Sequence, residues 1–473
     1  MIGREKEISI LNNIIQDDRS HFIAIYGRRR VGKTYLIREI CGDRFTFQHS
    51  GLSGGTLKDQ IFEFTASLKS AGFSFSKYPA NWLEAFEGLK ELIRESKEKR
   101  KIVFIDELSW MDTPKSNLIF ALENFWNGFA AARKDVILIV CASATSWMLS
   151  NVIHNKGGLY NRLTAQIHLK PFQLYECEEY VKAAGLSFTR GQILQYYMVF
   201  GGVPYYWEFL KKGMSLAQNI DSILFAKDAP LRDEYRYLYA AVFKKPEVYV
   251  KIIEALASKK VGMTREEIIS ETKLTNSGDL TKKLEELENC GFIRSYKAYG
   301  MKKKNSLYQL VDFFTLFYFR FMQDMPSDEH FWSNQLNTPG INTWKGLAFE
   351  RVCMDHIDKI KMKLGISGVL TDINSWYCKA DPDNGVYGSQ IDLLIVRRDQ
   401  VINLCEMKFS EAEYMITDKD DMSIKRKMHD LVVQTGTKYA IHPTLITPYG
   451  IVDNSYSGNI QAVITMDDLF GRG

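Results

Sequence analysis

The sequence contains no Cys-x-x-C pair. Its seven cysteines, Cys41, Cys141, Cys177, Cys290, Cys353, Cys378 and Cys405, are odd in number and spread along 473 residues. That pattern argues against a disulfide framework and offers no structural zinc site, and it fits a reducing compartment. Long apolar runs are also missing. The longest, Val136–Ala142 and the aromatic stretch Phe313–Phe319, fall far short of the about 20 residues that span a bilayer. The first residues, MIGREKEISIL, carry charge where a secretory signal would place an apolar run. The expectation is a cytoplasmic protein with no membrane partner. A large charge of one sign is absent as well. The net charge of +4 is small for this length, so any basic face has to be local.

What is present is ordinary globular material, 45% apolar and 25% charged. The length exceeds what one core can serve and suits about three domains of about 150 residues each. HFIAIY at 21–26 reads as a buried strand running into GRRRVGKT and a helix over Tyr35–Ile40. KIVFID at 101–106 and DVILIVCAS at 135–143 read as further buried strands. Strands alternating with helices imply a parallel sheet covered on both faces. This block ends near Pro171. A helical segment follows over 172–240, broken at GGVPYY. Helices at Pro246–Ser258, Thr264–Glu271 (with Thr264 as N-cap) and Leu280–Cys290 lead into strands Phe292–Tyr296 and Ser306–Val311. That order is the winged-helix pattern, and it bounds a unit at 241–325. Residues 326–343 are polar and aperiodic and read as a linker. A last block, 340–473, opens with a helix at Trp344–Lys363. It continues with strands at Gln390–Arg397 and Val401–Phe409, a helix at Ser423–Gln434, and strands at Lys438–Ile446 and Ile460–Thr465.

Gly27-Arg28-Arg29-Arg30-Val31-Gly32-Lys33-Thr34 matches G-x-x-x-x-G-K-[ST] in full, with a strand before it and a helix after it. The glycines let the backbone curl so that its N–H groups face phosphate oxygens, and the helix N-terminus adds positive potential. Lys33 is expected on the β- and γ-phosphates of ATP, and Thr34 on a magnesium ion. In Ile102–Glu107, four apolar residues end in two acids. Asp106 can hold the magnesium through water, and Glu107 can polarise the attacking water. Ser143, at the end of the next strand with Thr145 just behind, either senses the γ-phosphate or caps a helix. Arg162, in LYNRL, is either an arginine finger, acting in cis or from a second copy of the chain in a homo-oligomer, or a surface arginine.

The pieces MIGREKEI, YGRRRVGKT, FIDE, LYNRL and GGVPYYW, in that order, resemble the archaeal-type ATPases of the STAND and AAA-like P-loop group over residues 1–320. The resemblance implies that Gly202-Val203-Pro204, matching the group's G-x-P motif, couples nucleotide state to the winged helix. It also implies that Arg4 and Glu5 lie near the adenine. In the winged-helix unit, Lys282 and Lys283 on the third helix and Lys302, Lys303 and Lys304 on the wing either contact DNA phosphates or form a solvated face.

In the last block Gln390-Ile391-Asp392 is followed one strand later by Glu406-Met407-Lys408. In Glu406-x-Lys408 the period of two puts both side chains on one sheet face, and Asp392 on the neighbouring strand can join them. Two carboxylates can hold one or two magnesium ions, and Lys408 can orient water or stabilise charge on a phosphate. The segment resembles the PD-(D/E)xK nuclease fold of Holliday-junction resolvase relatives, in which Glu350 on the preceding helix would be a further acid. The expected fold is therefore α/β, with a P-loop parallel sheet, a helical extension, a winged helix and a restriction-endonuclease-like C-terminal domain. Two functions remain open on this reading. One is an ATP-hydrolysing switch that acts on DNA through a metal-dependent nuclease domain. The other is a signalling or scaffold ATPase whose C-terminal domain is an inactive binding module. The first requires Asp392, Glu406 and Lys408 to converge. The second allows them to splay apart into ion pairs.

Overall fold

A computed structural model of the chain describes residues 2–243, 245–297, 299–300 and 306–472. The chain divides into two compact units, Met1–Pro171 with Ala240–Lys244, and Phe172–Tyr239 with Lys245–Gly473. The first holds α1 (Glu5–Gln16), β1 (His21–Tyr26), α2 (Lys33–Cys41), β2 (Phe45–Ser50), α3 (Leu57–Ser70) and α4 (Trp82–Glu95). It continues with β3 (Lys101–Asp106), α5 (Leu108–Met111), α6 (Leu118–Phe125), β4 (Val136–Ala142), α7 (Thr145–Met148) and β5 (Ala165–His168). The five strands pair in parallel in the order β2-β3-β4-β1-β5. β3 and β4 are buried along their whole length, as aliphatic strands in the middle of a covered parallel sheet must be.

Alternation along β1 builds two layers of core. Phe22 and Ala24 pack with Phe64, Trp82, Phe86 and Phe125, while Ile23 and Ile25 pack with Leu11, Leu36 and Ile37. Helix α4 serves the first layer because Trp82, Phe86, Leu89 and Ile93 recur at helical spacing. Asn81 caps it, accepting the Glu84 N–H at 3.0 Å.

The second unit opens with α8 (Leu174–Ala183), α9 (Arg190–Phe200), α10 (Pro204–Trp207), α11 (Leu216–Ile220) and α12 (Glu234–Leu238). Next come α13 (Pro246–Ala257), β6 (Met263–Thr264), α14 (Arg265–Thr272), α15 (Gly278–Asn289), β7 (Ile293–Tyr296) and β8 (Leu307–Leu310), followed by α16 (Phe313–Phe317) and α17 (Phe331–Asn334). β6, β8 and β7 form a small antiparallel sheet beside α13–α15. Thr264 caps α14, accepting the Glu267 N–H at 3.2 Å. The unit closes with α18 (Pro339–Asp355), α19 (Ile357–Lys363), β9 (Thr371–Cys378), β10 (Ser389–Arg397), β11 (Val401–Met407), α20 (Asp418–Thr435), β12 (Ala440–Ile446), β13 (Ala462–Ile464) and α21 (Met466–Leu469). In this last part β9, β10 and β11 form an antiparallel meander. α20 crosses over, and β12 and β13 then lie parallel to β11, giving the order β13-β12-β11-β10-β9.

Two expectations need correction. Residues 326–343 are not a loose linker. They hold α17 and the start of α18, and Trp332, only 2% exposed, packs edge-on to Phe321 and Trp344. The backbone N–H groups of Trp332 and Ser333 both donate to the Asp221 carboxylate. The polar letters there mask an aromatic anchor. The helix expected at 344–363 begins at Pro339 and is interrupted at His356 (φ −107°, ψ 28°), which separates α18 from α19. Each cysteine is a free thiol. Among the described residues no helix is long and apolar enough to cross a membrane.

Candidate functional site

The strand order dictates the first site. β4 lies between β1 and β3, so the residue that follows β4 falls between the loop after β1 and the acids that end β3. All three stand at the carboxyl ends of parallel strands, where open α/β sheets bind ligands. Lys33 reaches back under its own loop and donates to the carbonyls of Gly27 (3.0 Å) and Arg28 (3.1 Å) and to Ser143 Oγ (3.0 Å). Ser143 in turn donates its hydroxyl to Glu107 Oε1 at 2.5 Å, and its N–H donates to Glu107 Oε2 at 3.1 Å. The Ser143 hydroxyl thus joins the polar group rather than capping α7, whose first turn has no side-chain cap.

Thr34 Oγ1 donates to Asp106 Oδ2 at 2.6 Å, and Asp106 Oδ1 accepts the Glu107 N–H at 2.9 Å. A hydroxyl and a carboxylate thus stand side by side below the loop, and hard oxygen donors of this kind suit magnesium. The backbone is shaped for this. Gly27 has φ +142°, and a Cβ there would sit 2.2 Å from the Leu169 carbonyl oxygen. Glu107 itself sits at φ +46°, an uncommon left-handed conformation for a side chain of its size. Of the other loop residues, Arg28 and Val31 are buried and Arg29 and Arg30 are half-buried.

Arg4 is buried and donates to the Lys170 carbonyl at 2.7 Å, whereas Glu5 is exposed. Thr145 Oγ1 is buried with no hydrogen-bond partner. Arg162 is exposed and does not join the group around Lys33.

The second candidate site differs from its expectation. Asp392, Glu406 and Lys408 do not converge; they divide into two groups of ion pairs. In one, Lys260 Nζ lies 2.9 Å from Glu350 Oε1 and 3.8 Å from Asp392 Oδ2, while Gln390 donates to Asp392 Oδ1 at 2.7 Å. In the other, Glu406 accepts from Lys427 of α20 at 2.6 Å and lies 3.2 Å from Lys408, which is also 3.8 Å from Asp420. Among the described residues no group of three or more His, Cys, Asp or Glu side chains is close enough to hold a metal ion.

The physical reasons are visible. Pairing with β9 shifts register between Ile391 and Leu394, so the simple alternation assumed for Asp392 breaks at that point. Two lysines outside the motif, Lys260 and Lys427, also claim the acids. Burial, reinforced by Asp392, pushes the Glu350 carboxyl above the ordinary range. Burial acts to lower the Lys408 ammonium, but Glu406 beside it outweighs that and leaves it raised. Asp420 is also buried in part, yet hydrogen bonds from Thr417 hold it low.

Gly202 packs where no side chain fits. A Cβ would lie 1.7 Å from the Phe172 carbonyl oxygen, and the Phe172 N–H donates to the Gly202 carbonyl at 2.6 Å. Tyr197 Oη lies 3.0 Å from the Phe172 carbonyl and 2.7 Å from Asp355 Oδ2, and the Leu174 N–H donates to His356 Nε2 at 3.1 Å. The G-x-P turn is thereby tied to the end of α18. Of the basic residues singled out on α15, Lys282 is exposed. Lys283 is not: it pairs with Asp279 at 2.7 Å and covers the Tyr249 ring. Lys302, Lys303 and Lys304 lie outside the described residues.

Residues 1–208 match the family of ATPase domains found predominantly in Archaea. An uncharacterised protein of Methanocaldococcus jannaschii is 26% identical over 433 residues, covering 90% of this chain and 91% of the relative. Among solved structures, a Walker-type ATPase of Pyrococcus abyssi superposes with a TM-score of 0.47 at 17% identity, over 67% of this chain and 95% of that one. The ORC2 protein of Aeropyrum pernix, in ADPNP–ADP complexes, gives 0.40 at 12% identity, over 75% of this chain and 95% of that one. The protein is an ATP-hydrolysing enzyme whose first 208 residues match the ATPase domain found predominantly in Archaea.

Proposed function

We infer that the chain is an ATP-driven switch whose second unit carries a DNA-directed effector of the nuclease type. The observation that carries the ATP half is the continuous polar chain Lys33–Ser143–Glu107, set beside Thr34–Asp106. Lys33 takes the β- and γ-phosphates of ATP, and the loop N–H groups and the start of α2 complete the cradle. Thr34 and Asp106 would hold a magnesium ion, which would neutralise phosphate charge. Glu107 orients the attacking water. Ser143 touches both Lys33 and Glu107, which supports its reading as the residue that registers a γ-phosphate. The coupling role is carried by the Gly202-Val203-Pro204 turn, which within the second unit is bonded to Phe172 and, through Tyr197, to Asp355.

Support for the effector is topological. A helix, a three-stranded antiparallel meander, a crossover helix and a strand parallel to the third is the layout of the PD-(D/E)xK nuclease fold, and α18 to β12 follow it. Three helices with a small antiparallel sheet, α13 to β8, follow the winged-helix layout that would carry the unit onto DNA. The division of Asp392 from Glu406 favours a second reading, in which the C-terminal sheet binds DNA or a partner without cutting.

Phosphate release and nucleotide binding test the first half. Lys33→Ala should abolish ATP binding. Glu107→Gln should bind ATP as the wild type does and lose hydrolysis by about 10²–10⁴-fold. Full hydrolysis by Glu107→Gln would show that another group orients the attacking water. Incubation with magnesium and supercoiled, linear or branched DNA, with and without ATP, tests the second half. Cleavage lost in Asp392→Ala/Lys408→Ala supports the nuclease reading. Absence of cleavage on every substrate favours the binding module.

A further inference from the structure

Lys260 belongs to none of the motifs above, yet it is the cation that the two acids of α18 and β10 share. It sits on the short turn between α13 and β6, and that turn is held firmly. The Lys260 carbonyl accepts from Arg351 Nη2 at 2.8 Å and from Gln309 Nε2 at 2.7 Å, and the Val261 carbonyl accepts from the Tyr296 hydroxyl. Gly262 ends the turn at φ +93°, where a Cβ would lie 2.4 Å from the Tyr308 carbonyl oxygen, so the tight path needs glycine. The clamp reaches both sides: Gln309 and Tyr296 belong to the small sheet, and Arg351 follows Glu350 on α18. A second strap links the same two parts, because the Tyr299 N–H donates to the Ser375 carbonyl of β9 at 2.8 Å.

The side chain placed by this clamp meets two carboxylates with one charge. Lys260 Nζ reaches Glu350 Oε1 at 2.9 Å and Asp392 Oδ2 at 3.8 Å. Glu350 Oε2 is fully buried and accepts no hydrogen bond among the described residues. Among the described residues Lys260 is the one cation within ion-pair distance of both carboxylates, while the buried Arg351 and Arg294 guanidiniums act on them from farther off, and the buried oxygen has no donor to meet it. A divalent ion held by both acids would have to take the volume that the ammonium fills.

We propose that Lys260 is a tethered counter-ion that closes the Glu350–Asp392 pair to divalent cations, an autoinhibitory contact made by the α13–β6 turn upon the C-terminal sheet. The inference rests on the reading of that sheet as a metal-dependent nuclease fold. Displacing the turn would expose the pair, and returning it would expel the ion.

The test is manganese binding to the full-length protein without nucleotide, followed by the paramagnetic resonance signal of free Mn²⁺. Lys260→Met keeps the aliphatic stem and removes the charge. It should bind Mn²⁺ at least tenfold more tightly than the wild type, Lys260→Arg should stay close to the wild type, and Lys260→Met/Asp392→Asn should lose the gain. Tighter binding in Lys260→Met that survives Asp392→Asn overturns the proposal, because the ion is then held elsewhere. If Lys260→Met binds no more tightly than the wild type while Asp392→Asn alone weakens binding, the counter-ion role fails and the cation site stands. If neither substitution changes Mn²⁺ binding, the cation-site reading of the sheet fails, and the counter-ion role with it.

Discussion

At the residue scale, His49 shows how burial sets charge in the ATPase unit. It lies on β2, its Nδ1 is 2.9 Å from Ser67 Oγ, and its ring meets Phe64 edge-on. Burial lowers its pKa from 6.5 to about 4. The unfolded chain therefore takes up this proton at a higher pH than the folded chain does. The contribution to stability is fully present above pH 6.5 and is lost as pH falls toward 4. The loss amounts to roughly 3 kcal/mol. Urea unfolding at steps between pH 7 and 4 checks this. His49→Asn should show a shallower decline over that window than the wild type, and equal slopes would sink the assignment.

The same scale shows what the sequence made readable. Gly27–Thr34, Asp106 and Glu107 could be named because each sits at a strand end and needs only its neighbours to be identified. Ser143 remained open between two roles because its partner, Glu107, becomes adjacent only through the strand order. Lys260 and Lys427 carried no local signal. Their partners are 90 and 21 residues away, and a lysine on a turn or in a polar helix looks like solvated charge.

At the scale of elements, legibility followed burial. The expected strands 21–26 and 101–106 coincide with β1 and β3, because continuous aliphatic runs have little other use. β2, β5 and β9 were not read. They are sheet-edge strands, and a half-exposed edge such as TDINSWYC shows neither a long apolar run nor clean alternation. The segment 326–343 failed differently. Its composition is that of a loop, but one residue, Trp332, anchors it among Phe317, Phe321 and Trp344. Trp332→Ala should therefore cost about 3–5 kcal/mol in urea unfolding, the range for truncating a buried tryptophan. It should also open 326–343 to limited proteolysis. A cost below about 1 kcal/mol, within the range of a surface change, would return the segment to the status of a linker.

At the scale of the molecule, the two units each bury a core of their own. In the first, two apolar layers sandwich the parallel sheet. In the second, Trp376, Ile391, Leu394, Ile402, Leu404 and Leu431 form a separate cluster between the C-terminal sheet and α20. The residues proposed to hold ATP all lie in the first unit, and the carboxylates of the second candidate site all lie in the second. A ligand stabilises only the unit whose folded form binds it, by about 2.7 kcal/mol at a hundredfold excess over its Kd. Thermal unfolding should therefore show two transitions. ATP with magnesium should raise one and leave the other in place, and Lys33→Ala should remove that rise. Trp332→Ala should lower the transition that ATP does not move. A single transition that ATP raises as a whole, and that Trp332→Ala lowers as a whole, would show that the two cores unfold together. The switch would then work through one cooperative body rather than through two.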